Sequence, residues 1–378
     1  MLVCSNSGDI RKRGDSRLGL VANSNDIYQG VRSGDLLIHG MDTWHGAIAV
    51  SKFDGMCTPV VHVCDSSQNK EYVATYLRNM ASQQIFKLIS NGVRQNTSDF
   101  RSWDKLSRIP IPLPPLVEQE KIVSYLEDKT SKIDEVILAK EKQIKLLQEL
   151  KDAEIANVIT RGLNPDVKMK RYDSLLSSEC PEHWCITRNK SFMSLVGEKV
   201  GRQSVSYTLL SLTTKGVIIR DVESGKGKFP KDFDTYQIVQ RGELVFCLFD
   251  IDETPRTVGI VETGGMVTGA YTVLRVNEKY AIPEYVYYYY LCVDNIKALK
   301  PYYSGLRKTV RADKFLQLYI PVPSVEEQRT IIAYIENKNN KIEALVKNLE
   351  AEIAYLKEYK QKLVADCVIG QINVQCEQ

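Results

Sequence analysis

The sequence predicts an α+β fold: two β-rich α/β domains joined by a pair of long antiparallel helices, as an internal pseudo-two-fold repeat. Three observations predict it. A proline-punctuated segment that runs into a long helical pattern occurs twice, 209 residues apart and without a gap, at Ile111 and at Ile320. Both helical patterns carry an apolar stripe with heptad spacing. Upstream of each, short apolar runs follow a Gly-Asp/Glu turn, at Gly34-Asp35-Leu36-Leu37 and Gly242-Glu243-Leu244-Val245, as half-buried strands do.

The repeat sets the boundaries: domain 1 over 1–115, a spacer helix over 116–163, domain 2 over 164–324, and a second helix with a tail over 325–378. Pro112/Pro321, Pro114/Pro323, Glu118/Glu327, Gln119/Gln328, Ile122/Ile331, Tyr125/Tyr334 and Ile133/Ile342 are identical pairs. Shared helical bias alone does not reproduce proline spacing, so the pairs indicate duplication. Upstream, Gly55-Met56 faces Gly265-Met266, and Gly92-Val93-Arg94 faces Gly305-Leu306-Arg307. Residues 171–207 have no counterpart in the first copy, so domain 1 is expected to lack an opening segment.

In the first helix Ile133, Ile137, Lys140, Ile144, Leu147, Lys151, Glu154 and Val158 step alternately by four and three. The second helix places Ile342, Val346, Leu349, Ile353, Leu356, Lys360, Leu363 and Cys367 at matching positions. The stripes are expected to bury against each other, since the outer faces are charged. Packing of each helix on its own domain is the alternative. Arg161-Gly162-Leu163-Asn164-Pro165 ends the first helix. The stretch from Ile133 to Val158 rises about 39 Å at 1.5 Å per residue, close to the roughly 34 Å of one DNA turn.

Net charge is only +3, from 50 Lys and Arg against 47 Asp and Glu, which excludes a strongly basic protein. Basic residues recur outside the helices, however. Arg11, Lys12, Arg13 and Arg17 cluster in the first copy, and Lys215, Arg220, Lys226, Lys228 and Lys231 in the second. Arg11 falls on Arg220 at the repeat offset. Before the exits come Arg94, Arg101, Lys105 and Arg108, then Lys300, Arg307, Lys308, Arg311 and Lys314. Such recurrence suits phosphate contact along one duplex. The loop His39–His45, with Thr43, Trp44 and His45, takes the place of Cys247–Arg256, which ends on Arg256. Gln95 and Asn96 offer amides for adenine edges. His62 and Trp103 read as packing residues.

Catalytic motifs are absent: no P-loop, no GxSxG, no HExxH and no adenine-methyltransferase motif. Glu127-Asp128-Lys129 reads as a solvated helix face. Nine thinly spread cysteines read as reduced thiols in the cytoplasm, and Cys180 and Cys185 around His183 do not complete a zinc set. No apolar run is long enough to span a membrane, and no signal peptide is visible.

Across nearly its whole length the chain resembles the specificity (S) subunits of type I restriction–modification systems. The two P-x-P-[PS]-x-x-E-Q exits, the Gly-x-Arg loops before them and Pro181-Glu182-His183-Trp184 carry the resemblance. It implies two target recognition domains on a helical spacer that reads a bipartite site in double-stranded DNA. Such a subunit is non-catalytic and holds two methyltransferase (M) subunits and, through them, restriction (R) subunits. No cofactor is expected on this chain; S-adenosylmethionine, ATP and Mg would sit on the partners. A truncated subunit that reads one half-site, and a coiled-coil scaffold without a DNA role, are the alternatives.

Overall fold

The structure, a computed structural model, describes residues 1–14, 27–90, 98–220 and 233–374. Its helices are α1 (Lys70–Ser82), α2 (Ile85–Ile89), α3 (Trp103–Ser107), α4 (Leu116–Arg161), α5 (Pro283–Asn295), α6 (Ala312–Gln317) and α7 (Val325–Val368). Contacts divide the chain into unit 1, Met1–Gln143 with Asn348–Gln378, and unit 2, Ile144–Lys347. Each unit thus combines a β-rich part with a stretch of both long helices, so the helices do not form a body of their own.

Unit 1 is built on a three-stranded antiparallel sheet in the order Ile48–Val50, Leu36–His39, Val61–Cys64. Leu36 and Ile38 face α1 and the long helices, while Leu37 faces the opposite side with Leu2, Val31 and Val61. Both faces are covered, which is why the strand reads as a continuous apolar run. Unit 2 repeats this sheet as Val258–Ile260, Leu244–Phe246, Thr272–Val276 and adds Met193–Val196 at the edge. A further strand, Cys185–Arg188, pairs with the exit strand Tyr319–Val322. Both added strands come from 171–207, the stretch without a counterpart in the first copy.

The duplication extends to single hydrogen bonds. Gln119 and Gln328 are fully buried. Gln119 accepts from the backbone N–H of Asn69 at 3.0 Å and donates to the Pro114 carbonyl at 2.8 Å. Gln328 accepts from the N–H of Ile282 at 2.8 Å and donates to the Pro323 carbonyl at 2.9 Å. Asn69 and Ile282 precede α1 and α5, so each glutamine ties a proline exit to a helix start that needs an acceptor. The hydroxyl of Tyr72 donates to the carbonyls of Pro112 and Val368, and that of Tyr285 to those of Pro321 and Ile159. Gly55 and Gly265 share a steric reason: a Cβ would lie 2.9 Å from a leucine Cγ, that of Leu2 or of Leu210.

Within each unit the long helices run antiparallel. In unit 1, Asp134 pairs with Lys360 at 2.6 Å, Lys140 with Glu352, and Glu141 with Lys357 at 3.6 Å. In unit 2, Lys151 pairs with Glu343 at 2.8 Å, and Glu154 accepts from the Tyr334 hydroxyl. From 131 to 151 and from 341 to 360, only the seam positions are shielded from solvent. Ile137, Ile342, Leu349 and Ile353 are buried, while Ile133, Ile144, Leu147, Val346 and Leu356 are half-buried. Towards the ends the helices also enter the unit cores, through Ile122, Leu126 and Leu363 in unit 1 and Ile159, Ile331 and Ile335 in unit 2. Mutual packing and packing on the domains both occur, on different stretches of the same helices.

Candidate nucleic-acid interface

In each unit the loop after the first core strand is tied to the segment before the proline exit. In unit 2 the Asp250 N–H donates to the Arg307 carbonyl and the Val310 N–H to the Leu248 carbonyl, both at 2.8 Å. Asp250 (φ 48°) and Lys308 (φ 44°) hold left-handed backbone at this junction, a conformation that non-glycine residues adopt at a cost. Leu306 at the apex is fully exposed. In unit 1 the Ser98 N–H donates to the Met41 carbonyl and its hydroxyl to the Gly40 carbonyl, both at 2.8 Å.

The unit 2 junction concentrates charge. The Arg307 guanidinium lies 5.5 Å above the Phe249 ring and 3.8 Å from Asp250. Lys308 sits 3.0 Å from Asp252 and 3.8 Å from Glu253, and Lys300 3.4 Å from Asp252. The Lys308 ammonium bonded to Asp252, with Lys300 beside it, holds that carboxyl below its usual range, and Asp252 raises Lys308 in return. Arg311 is exposed and pairs with Asp313 at 3.1 Å. Lys300 belongs to the basic cluster read from the sequence, whereas the three acids do not; their signal is an Asp-x-Asp-Glu run facing a Gly-x-Arg-Lys run.

Three candidates prove structural. Thr43 is fully buried, with its hydroxyl 2.6 Å from that of Ser98, so it joins the two loops and cannot reach a base. Trp44 is half-buried against the unit 1 core, and its indole donates to Ser90 at 2.7 Å. Arg256 is held 3.0 Å from Asn295 and 3.4 Å from the buried carboxylate of Asp294, which also takes Lys297 at 2.7 Å; it neutralises an interior acid. Trp103 departs from its packing role in the other direction, with 55% of its surface exposed beside His62.

Arg11 and Lys12 are exposed on the strand Ile10–Lys12, Arg11 3.7 Å from Asp9 and Lys12 over the Phe53 ring. His45 and Arg101 are exposed on the unit 1 loops. The strand register corrects one pairing. Leu2 faces Lys12 as Leu210 faces Ile219, and the next residues, Arg13 and Arg220, both donate backwards at 2.9 Å, to Met1 and Leu209. Arg13, not Arg11, is therefore the counterpart of Arg220, because the first copy has a longer hairpin connection. Arg17, Arg94, Gln95, Asn96, Lys226, Lys228 and Lys231 lie outside the described residues.

Pro181-Glu182-His183-Trp184 anchors the second helix. Trp184 is buried and its indole donates to Glu327 at 3.0 Å, while the His183 ring lies 2.9 Å from the same carboxylate. Among the described residues no group of three or more His, Cys, Asp or Glu side chains is placed to hold a metal, and no helix is long and apolar enough to cross a membrane.

Comparison with known proteins fits this geometry. The chain is 24% identical over 316 residues to a putative type I restriction enzyme MjaX specificity subunit of Methanocaldococcus jannaschii, covering 80% of this chain and 68% of that one. It is 25% identical over 287 residues to the MjaVIII specificity subunit of the same organism, covering 70% and 63%. The fold matches a structure described as the basis of complex assembly and conformational transition of the type I R-M system, with TM-score 0.67 at 16% identity over 92% of this chain and 84% of that one. It also matches the HsdS subunit from Thermoanaerobacter tengcongensis, with TM-score 0.52 at 17% identity over 93% and 84%. The family model of the type I restriction modification DNA specificity domain matches residues 46–148 and 260–355; with more than half of its length inside that model, the chain belongs to this family.

Proposed function

We propose that the chain is the DNA-specificity subunit of a type I restriction–modification complex, each unit reading one half of a bipartite duplex site. The observation that carries this reading is the repeated junction of two loops, tied by backbone bonds and bearing exposed basic side chains before each exit. Arg307 and Lys308 serve as phosphate contacts. The pair of Arg307 with Asp250 is exposed, and those of the half-buried Lys308 with Asp252 and Glu253 still reach solvent, so phosphate oxygens can replace these partners.

The seam and the exposed apolar residues beside it, Leu138 and Tyr355 in unit 1 and Leu146 and Leu345 in unit 2, support docking of methyltransferase subunits. Restriction subunits join through those. The chain's role is recognition in the cytoplasm, with S-adenosylmethionine, ATP and Mg held by the partners. A narrower reading, with only unit 2 reading its half-site, is favoured by the two added strands of that unit.

Arg307→Ala in the chain assembled with its methyltransferase subunit tests the reading. DNA affinity is expected to fall about tenfold, one charged contact being worth about 1–3 kcal/mol, and the salt slope to drop by about one ion. Assembly should persist. Unchanged affinity and slope refute the assigned contact.

A further inference from the structure

The long helices and the first helix of each β-rich part meet differently in the two units. The motif Glu71-Tyr72-Val73 of α1 recurs as Glu284-Tyr285-Val286 of α5, and the two tyrosines make matching bonds, so the next residues are equivalent: Ala74 with Tyr287 and Thr75 with Tyr288. On the long helices Thr130 corresponds to Asn339 at the repeat offset. In unit 2 Asn339 donates to the Tyr288 hydroxyl at 3.2 Å, a contact that bridges α5 and α7. In unit 1 both positions are threonines, too short to meet. Both line an open cleft of about 690 Å³ between α1 and the long helices.

The unit 1 cleft is amphipathic. Val123, Leu126, Ile137 and Val364 supply apolar wall, and Glu71, Arg78 and Glu127 supply charge. Asp134 and Lys360, also on the wall, neutralise each other at 2.6 Å, Lys357 pairs with Glu141, and Asp9, the remaining carboxylate of the lining, pairs with Arg11 at 3.7 Å. Arg78 is engaged by the Ile48 carbonyl at 3.2 Å and the Thr75 hydroxyl at 3.0 Å. Among the described residues neither Arg78, Glu71 nor Glu127 has an ion-pair partner within 4 Å. Two unpaired carboxylates against one guanidinium leave one negative charge over. Burial pushes the Glu71 carboxyl up and Glu127 adds to the rise, against the opposing pull of Arg78 and Lys52, so desolvation outweighs the cations around it. Its counterpart Glu284 is exposed.

We propose that the unit 1 cleft receives a single lysine or arginine, with its neighbouring apolar side chains, from a helix of a partner subunit, while the equivalent face of unit 2 is closed by tyrosine. The proposal rests on the reading that the chain docks methyltransferase subunits, and makes the two docking places chemically unequal. The side chain enters between Thr75 and Thr130 and places its charge at Glu71 and Glu127, and its stem packs on Leu126 and Val364. On unit 2 a partner rests on the Tyr287–Tyr288 surface without insertion.

Native mass spectrometry of the full chain with its cognate methyltransferase subunit tests this. The unaltered chain is expected to hold two copies. Thr75→Tyr, which fills the cleft as unit 2 fills its own, is expected to weaken one copy at least tenfold and leave the other unchanged. Glu71→Gln, which leaves the cleft open, is expected to weaken the same copy by several fold and covers the case in which Thr75→Tyr does not fold. Two copies bound with unaltered affinity in Glu71→Gln, or in folded Thr75→Tyr, overturn the cleft, as does equal weakening of both. Failure of the unaltered chain to bind any copy overturns the docking reading itself.

Discussion

Unit 1 and unit 2 share a scaffold and differ in what is built on it. Common to both are the three-stranded sheet, the buried glutamine at the exit, the tyrosine that bonds exit and helix end, and the antiparallel helix seam. Among the described residues, unit 2 alone has the edge strand Met193–Val196, the strand that pairs with its exit, and Trp184 seated on Glu327. Unit 1 has the open cleft beside α1, where Thr75 and Thr130 stand in place of Tyr288 and Asn339. The shared parts fix the geometry between loops and helices. The differing parts are loops, edges and clefts, where partners are met and where two copies of one fold acquire separate specificities.

The largest expected break in the comparison is Trp184→Ala. A fully buried indole that also bonds a carboxylate should cost about 3–5 kcal/mol, and only in unit 2. Hydrogen exchange should show faster opening of α5 with α1 unaffected; equal effects on both would deny that Trp184 is particular to one unit. Next come the paired glutamines. Gln328→Leu and Gln119→Leu should each cost about 1–3 kcal/mol by leaving a buried N–H without an acceptor, each in its own unit. Differential melting that assigns each loss to the opposite unit, or finds none, would contradict the equivalence.

A smaller effect separates the units in alkali. Burial raises Tyr288 to about 12 from an ordinary 10, and also raises Tyr285 and Tyr290 well above that ordinary value. A group whose folded pKa is raised lends stability fully present below its unfolded value and lost as pH rises through the folded one. As pH rises above about 10 the tyrosines should therefore cost unit 2 more stability than unit 1, where burial raises Tyr72 in the same way but Ala74 and Thr75 stand in place of Tyr287 and Tyr288. Equal losses in the two units in a pH series of exchange rates would argue against the tyrosine cluster as the cause.

Much of the scaffold was legible in the residues. A four-three alternation of apolar and long polar side chains is a direct imprint of helix geometry, and every seam position from Ile133 to Lys151 and from Ile342 to Lys360 is a shielded one. The proline exits were equally plain because proline restricts the backbone wherever it stands. The Glu-Tyr-Val repeat was less visible, since an insertion moves it off the main offset. Site residues were harder to read, because charge alone does not tell a phosphate contact from an internal counter-ion. Arg256 and Arg307 look alike in sequence, yet one is spent on the buried Asp294 and the other stands at an exposed apex. Thr43 failed for a related reason: a loop hydroxyl serves a base or a neighbouring loop according to where it points.

The central claim is that two units read two half-sites, and selection from a randomised duplex library tests it most directly. The chain assembled with its methyltransferase subunits, sequenced for bound DNA, should return two blocks of defined bases separated by an unspecified spacer. The same selection with Arg307→Ala should blur the block read by unit 2 and leave the other sharp. A single block, or no preferred sequence at all, would contradict the account.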